Sequence, residues 1–133
     1  MKVYFSGSIR GGNKDAEIYE KIIALLKTKF VVLTEHIFFE KSNLTDIEIF
    51  NRDCEWIKEC DFVIAEVSSP SLGVGYEIAL AEFLNKPIVC FYRNQGKRLS
   101  AMLTGNKKLR IYEYDSIDEL MEIMKNVIIH HGK

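Results

Sequence analysis

An α/β fold built on a five-stranded parallel sheet of order 2-1-3-4-5, with helices on both faces, is predicted by three observations on the 133-residue sequence. Short apolar runs alternate with longer segments of helical period five times over. That is the pattern of strands buried on both faces and joined by helical crossovers. Right-handed crossovers leave few topologies for such a chain, and five strands favour this flavodoxin-like order over a six-stranded dinucleotide fold. The two most glycine-rich segments, "GSIRGG" (7–12) and "SSPSLGVG" (68–75), follow the first and third strands. The 2-1-3-4-5 order makes those strands neighbours. The chain reverses direction between them, and ligands of such sheets bind in the crevice outside their carboxyl ends. The arrangement is Rossmann-like, and topology and composition point to one crevice.

Each element follows from local pattern. "KVYFS" (2–6) reads as a strand. Residues 14–28 carry Ala16, Tyr19, Ile22, Ile23 and Leu26 at helical spacing. "FVVL" (30–33) is a second strand, followed by a polar, irregular stretch (34–43). From Leu44 to Cys60 a helix is expected, with Ile47, Phe50, Cys54 and Ile57 keeping the period. "FVIAEV" (62–67) is a third strand and "GYEIALAEFLN" (75–85) a helix. Pro87 precedes a fourth strand, "IVCFY" (88–92), and a polar loop leads to a short apolar piece around "LSAML". "LRIYEY" (109–114) is a fifth strand. Residues 116–129 close the chain as a helix with Ile117, Leu120, Met121, Met124 and Ile128 inward. No repeat, low-complexity segment or linker interrupts the series, so residues 1–133 are read as one domain.

Composition removes several function classes. Hydrophobic residues make up 47% and charged residues 28%, with a net charge of -1. A core is affordable, and no basic excess suggests a nucleic-acid polymer as partner. No apolar run approaches the roughly 18 residues of a membrane span. The chain enters a strand at once, so no signal peptide is expected. Cys54, Cys60 and Cys90 form no CxxC pair and no Cys/His cluster with zinc spacing. No metal site is expected, and the thiols suit small core positions in a reducing, cytoplasmic setting.

The two loops could carry chemistry. "SGSIRGG" follows a strand and precedes a helix, offering backbone N–H groups, a hydroxyl and a helix N-terminus suited to an anion. Arg10 adds a guanidinium able to grip two phosphate oxygens. The pattern is neither GxxxxGK nor GxGxxG, which favours one phosphate on a small ligand over a dinucleotide or triphosphate. Taken alone, the loop fits a tight turn with a surface arginine equally well. Ser71 and the N–H groups near Gly73 join it in the crevice and shift the balance towards phosphate.

Three side chains stand out beside the loops. Glu77 has two readings: an ordinary first-turn helix glutamate, or an ionised carboxylate at the crevice able to attack an anomeric carbon. The helix N-terminus would keep it ionised in a partly dry site. Asp53 has Ile49, Phe50, Trp56 and Ile57 as its helical neighbours, so it sits within an apolar stripe. A hydrogen-bonded or protonated carboxyl there could act as a general acid, and a stripe-edge aspartate that reaches water or a local partner is the alternative. Tyr4 could aim its hydroxyl at the crevice or sit in the core. Glu66 is a crevice candidate or a strand-end charge. His36 is given no catalytic role, His130 and His131 read as a frayed tail, and Met121 and Met124 are core by spacing.

The segments "YFSGSIRGG", "LTEH", "DCEW", "AEVSSPSLGVGYE" and "LSAM", in order from residue 4 to about 102, resemble the 2′-deoxynucleoside 5′-phosphate N-hydrolases of the nucleoside 2-deoxyribosyltransferase superfamily. The resemblance implies a Rossmann-like fold, no cofactor, and cleavage of a deoxynucleoside monophosphate to free base and 2-deoxyribose 5-phosphate. It implies that Glu77 is the nucleophile at C1′, forming a glycosyl-enzyme. Asp53 would position the sugar and assist departure of the base, and Tyr4 would be the active-site tyrosine. Ser8, Arg10, Ser71 and Gly73 would cradle the 5′-phosphate. Gly7, Ile9 and Gly11 would lie in the nucleotide-contacting loop. Ser100 would reach the phosphate of a neighbouring subunit, which implies a homodimer. Segment 34–52 matches no motif and is expected to line the base side. The rivals are a deoxyribosyltransferase, a ribonucleoside monophosphate N-glycosidase, a non-catalytic nucleotide sensor and a flavodoxin-type carrier. Arg10 with both serines speaks against the first, and Asp53 with Glu77 against the third. Nothing in the sequence singles out the isoalloxazine site that the fourth would need.

Overall fold

A computed structural model describes residues 1–9 and 12–131. Along the chain lie β1 Lys2–Ser6, α1 Asn13–Leu26, β2 Val31–Val32, α2 Asp46–Glu59 and β3 Phe62–Glu66. There follow α3 Leu72–Phe83, β4 Ile88–Arg93, α4 Ala101–Thr104, β5 Arg110–Tyr114 and α5 Ile117–His131. The sheet order is β2-β1-β3-β4-β5, and every pairing is parallel. The expected order is the observed one. In the register of β1 and β3, Tyr4 lies opposite Val63 and Ser6 opposite Ala65.

The two-residue period of β1 divides the core into two layers. Val3 and Phe5 face Ile22 and Leu26 of α1 and Leu120 and Met124 of α5. Tyr4 faces Ile57 of α2 and Val74 and Ile78 of α3. Each such large apolar side chain, fully buried, contributes about 1.5–3 kcal/mol, so the strands are held from both sides. Cys60 and Cys90 are buried in the second layer, where burial pushes their thiols up to about 11 and about 12.

Three elements differ from expectation. The helix expected from residue 75 begins at Leu72, because the Ser71 hydroxyl accepts a hydrogen bond from the Val74 amide at 3.3 Å and caps it. Gly73 and Gly75 are therefore inside the helix, and Glu77 is in its second turn. The apolar stripe of α2 is not core: of its residues only Ile57 is buried, while Ile47 and Phe50 are 73% and 51% exposed. The last helix continues through His130 to His131, where a frayed tail was expected.

A buried polar network underlies the loop after β3. Glu66, expected either at the crevice or as a strand-end charge, is fully buried and serves as an anchor. Its carboxylate accepts from the Ser68 amide and hydroxyl, both at 2.7 Å, and from the Tyr114 hydroxyl. Asp15, also buried, accepts from the Ser69 hydroxyl and from Arg93 Nη2 at 3.2 Å. The Arg93 amide donates to the Ser68 hydroxyl oxygen at 2.7 Å. Two adjacent serines are thus tied to α1, β4 and β5.

Removing one partner of a buried ion pair strands the other charge. Asp15→Ala is expected to lower the unfolding free energy by about 3–5 kcal/mol in urea titration. Lys125→Ala, which breaks an exposed pair with Glu122, should cost less than about 1 kcal/mol. Equal losses for the two would show that Arg93 does not depend on Asp15.

Candidate active site

A cleft of about 760 Å³ opens at the carboxyl ends of β1 and β3, walled by residues after β1, by α2 and by the start of α3. Glu77 lies on this wall. Tyr4 and Ser6, two residues apart on β1, point to the same face and meet its carboxyl group. The Tyr4 hydroxyl donates to Oε2, and the Ser6 hydroxyl donates to Oε1 at 3.0 Å. Both oxygens of one partly dry carboxyl are therefore engaged by neutral hydroxyls.

The electrostatics differ from the expectation that a helix end holds Glu77 ionised. Burial pushes its carboxyl up to about 7. The Tyr4 and Ser6 hydrogen bonds oppose the rise, Asp53 adds to it, and Arg52 opposes it. The reason is position: an extra turn separates Glu77 from the helix terminus, where dipole effects fade, while desolvation acts in full. The Tyr4 phenol is itself pushed well up, first by burial and then by Glu77 and Asp53. Tyr4 therefore serves Glu77 as a donor throughout the physiological range.

Asp53 reaches the same cleft from α2. Its side chain is partly buried, and Arg52 Nε donates to its Oδ1 at 3.0 Å. Burial raises its carboxyl and Arg52 pulls it down, with burial the larger. The Arg52 guanidinium lies 4.8 Å from the Trp56 ring centroid, which fixes it in place. The hydrogen bond from the adjacent Arg52 is a local partner, so both readings of Asp53 stand, with its carboxyl at the cavity edge.

The loop residues divide. Ser8 is buried in the wall, and its amide donates to the Tyr19 hydroxyl at 2.8 Å. A Cβ on Gly7 would lie 2.8 Å from the Tyr19 ring, so glycine there is required by packing as well as by the cavity it lines. Ile9 is exposed on the rim, and Ser71 and Gly73 line the wall opposite. The amides of Leu72 and Gly73 precede the first bond within α3, Gly75 to Ser71, and take no hydrogen-bond partner among the described residues, as an anion site would need. Arg10 and Gly11 lie outside the described residues, as does the His131 side chain. Ser100 does not join this cleft in its own chain. It caps α4 through the Met102 amide at 3.2 Å and lines a second cleft beyond Ser71.

The remaining wall is mostly apolar: Ile37, Phe38, Ile49 and Phe50 line it with Asp46, so segment 34–52 borders the cleft, and the Phe50 and Tyr76 rings meet at 6.0 Å. His36 is exposed beside Glu35 and Glu40 and takes no part. Among the described residues no group of three or more His, Cys, Asp or Glu could hold a metal ion. Sequence reasoning missed Ser6. The signal was available, since a residue two positions from Tyr4 on a strand must share its face.

Comparison with known proteins places this geometry in context. The family model for nucleoside 2-deoxyribosyltransferases matches residues 3–123. A Syntrophotalea carbinolica protein provisionally named 2′-deoxynucleoside 5′-phosphate N-hydrolase 1 is 44% identical, covering 96% of this chain and 94% of its own. The 5-hydroxymethyl-dUMP N-hydrolase of Homo sapiens is 41% identical over 85% of this chain and 71% of its own. Among solved structures, the Clostridium botulinum CMP N-glycosidase shares the fold, with a TM-score of 0.74 at 19% identity over 96% of this chain and 99% of that one.

A carboxyl held at about 7 instead of its ordinary 4.5 binds its proton more tightly in the folded state. Folding stability therefore falls as pH rises through that window, and the full penalty is present above it. Glu77→Gln removes the penalty. The variant should be more stable by about 1–3 kcal/mol at pH 8, and the difference should vanish only below the ordinary carboxyl value, at about pH 3.5. Thermal unfolding at the two pH values measures this, and an equal difference at both would contradict the assignment.

Proposed function

The chain belongs to the nucleoside 2-deoxyribosyltransferase family, and within that family we propose that it hydrolyses the N-glycosidic bond of 2′-deoxynucleoside 5′-monophosphates to free base and 2-deoxyribose 5-phosphate. The observation that carries this reading is the Glu77 carboxyl, presented to the cleft with a hydroxyl on each oxygen. The names of relatives at 41–44% identity support the same reaction.

The chemistry follows from the residues. Ionised Glu77 attacks C1′ of the sugar. The C1′–N bond breaks, and its electron pair leaves with the base, whose nitrogen takes up a proton from solvent. Asp53 at the cleft edge orients the sugar and assists departure of the base. Water then attacks C1′, the bond to the carboxylate breaks, Glu77 is restored, and the proton of the water passes to solvent. Deoxyribose lacks the electron-withdrawing 2′-hydroxyl, which eases positive charge at C1′. Ser8, Ser71, the Gly73 amide and Arg10 are read as the 5′-phosphate cradle, and Gly7, Ile9 and Gly11 as its loop. Held there, the phosphate aligns C1′ for attack.

The 133 residues are read as one catalytic domain in a reducing, cytoplasmic setting. One sheet carrying both cores and three free cysteines support that reading. No described helix is long and apolar enough to cross a membrane. A homodimer is read from Ser100, which sits with the highly exposed Leu72 and Met102 around the second cleft, where a partner's surface would cover them.

Incubation with a panel of deoxynucleoside monophosphates should release free base. Intact nucleotides across the panel would refute hydrolysis. Equal turnover of unphosphorylated nucleosides would refute the cradle, and a new nucleoside formed on adding a second base would favour transfer. Glu77→Ala should lower kcat by at least about a thousandfold while nucleotide still binds. Arg10→Ala should raise KM roughly tenfold or more, and an unchanged KM would remove Arg10 from the cradle.

A further inference from the structure

The two hydroxyls on Glu77 are not equivalent. Both residues are buried, but Ser6 lines the cleft and Tyr4 does not. The Tyr4-bonded oxygen, Oε2, is therefore turned into the protein, and the Ser6-bonded oxygen, Oε1, faces the cavity side. A tyrosine hydroxyl at the end of a packed ring is a fixed donor. A serine hydroxyl turns about a single bond and can follow an oxygen whose bonding changes. Ser6 itself is held by the β1–β3 ladder, opposite Ala65, so its Cβ does not move with the ligand.

We propose that Ser6 is a positioning residue for Glu77, directing Oε1 towards the sugar as the attacking oxygen and stabilising that oxygen as it leaves C1′ in the second step. The proposal rests on the reading of Glu77 as nucleophile. In the first step Oε1 forms its bond to C1′ as the C1′–N bond breaks, and Oε2 stays with Tyr4. In the second, water bonds to C1′ and the C1′–Oε1 bond breaks. Its electron pair returns to the carboxylate, where the Ser6 hydroxyl meets the recovered charge. Without Ser6, Oε1 loses its donor, and the carboxylate is less favoured over the acid.

The charged and titratable groups facing Glu77 are Tyr4 from β1 and Arg52, Asp53 and Cys54 from α2. None is altered by Ser6→Ala. That variant is expected to lose roughly tenfold in kcat with KM unchanged. The acidic limb of kcat against pH should move upward, because a hydrogen bond that favours the ionised carboxyl is gone. Base release should show a fast burst followed by slower turnover, as the departure of Oε1 becomes limiting. Ser6→Cys, nearly the same shape with a weaker donor, should fall between the two, and it carries the test if Ser6→Ala does not fold. Unchanged kcat and pH limb in a folded Ser6 variant, beside an inactive Glu77→Ala, would overturn the proposal and leave the nucleophile reading intact. Full turnover by Glu77→Ala would overturn that reading, and this proposal with it.

Discussion

The contact on which the site depends is the one between the edge of β1 and the second turn of α3, where Tyr4 and Ser6 meet the Glu77 carboxyl. It places a charge-bearing group in a poorly hydrated wall. A lone buried carboxyl pays heavily for ionisation, and two neutral hydroxyls offset only part of that cost. The result is a group held near neutrality in the pH scale, with no described arginine locking it as an anion and two hydroxyls keeping it from being abandoned as an acid. A direct ion pair would secure the charge but lower its readiness to bond carbon. Arg52 illustrates the restraint, because its guanidinium is committed to Asp53 and to the Trp56 ring and reaches Glu77 only through its field. Burying this carboxyl costs stability, which on the proposed reading is given up for chemistry, as functional sites commonly require.

The compensation lies on the other side of the loop. Ser68 and Ser69 are tied to Glu66, Asp15, Arg93 and Tyr114, all buried or nearly so. These bonds join α1, β4 and β5 immediately before Pro70 and Ser71. The start of α3 is thereby fixed relative to the sheet, and so is the distance from its free amides to Glu77. On the proposed reading, a phosphate at the start of α3 and an attacking carboxyl at Glu77 would need that rigidity, because a small misplacement of C1′ costs far more rate than one hydrogen bond. Arg93 Nη1 is buried without a hydrogen-bond partner among the described residues, so Asp15, with Gln95 on the same Nη2, keeps this charge tolerable.

Much of this was legible in the sequence. The alternation of elements yielded the strand order, because parallel strands with short crossovers leave few choices. The glycine-rich loops located the crevice. Tyr4, Asp53 and Glu77 were legible as candidates because polar groups in apolar patterns are conspicuous. Ser6 was not, being small and unremarkable in "YFSGS", although strand periodicity paired it with Tyr4. The buried network was hidden because Asp15 and Glu66 look like ordinary helix-start and strand-end charges, and only tertiary contact reveals that Arg93 and Tyr114 reach them. The start of α3 was misplaced because glycines after a proline read as turn, while a serine cap had already begun the helix at Leu72.

The α2 stripe shows why apolar periodicity alone cannot separate core from cavity. Ile49, Phe50 and Ile57 repeat as a core helix should, yet only Ile57 is buried, and the others face open space beside Phe38 and Tyr76. A core would have filled that volume, since interiors pack close to crystal density. Those side chains leave an apolar surface that a flat ligand face can cover, and Ser8, Ser71 and Glu77 line the same cleft. On the reading proposed above, the apolar side chains would meet the base, the serines and the start of α3 the phosphate, and Glu77 the anomeric carbon that links base to sugar, so one cleft would serve all three parts of a nucleotide.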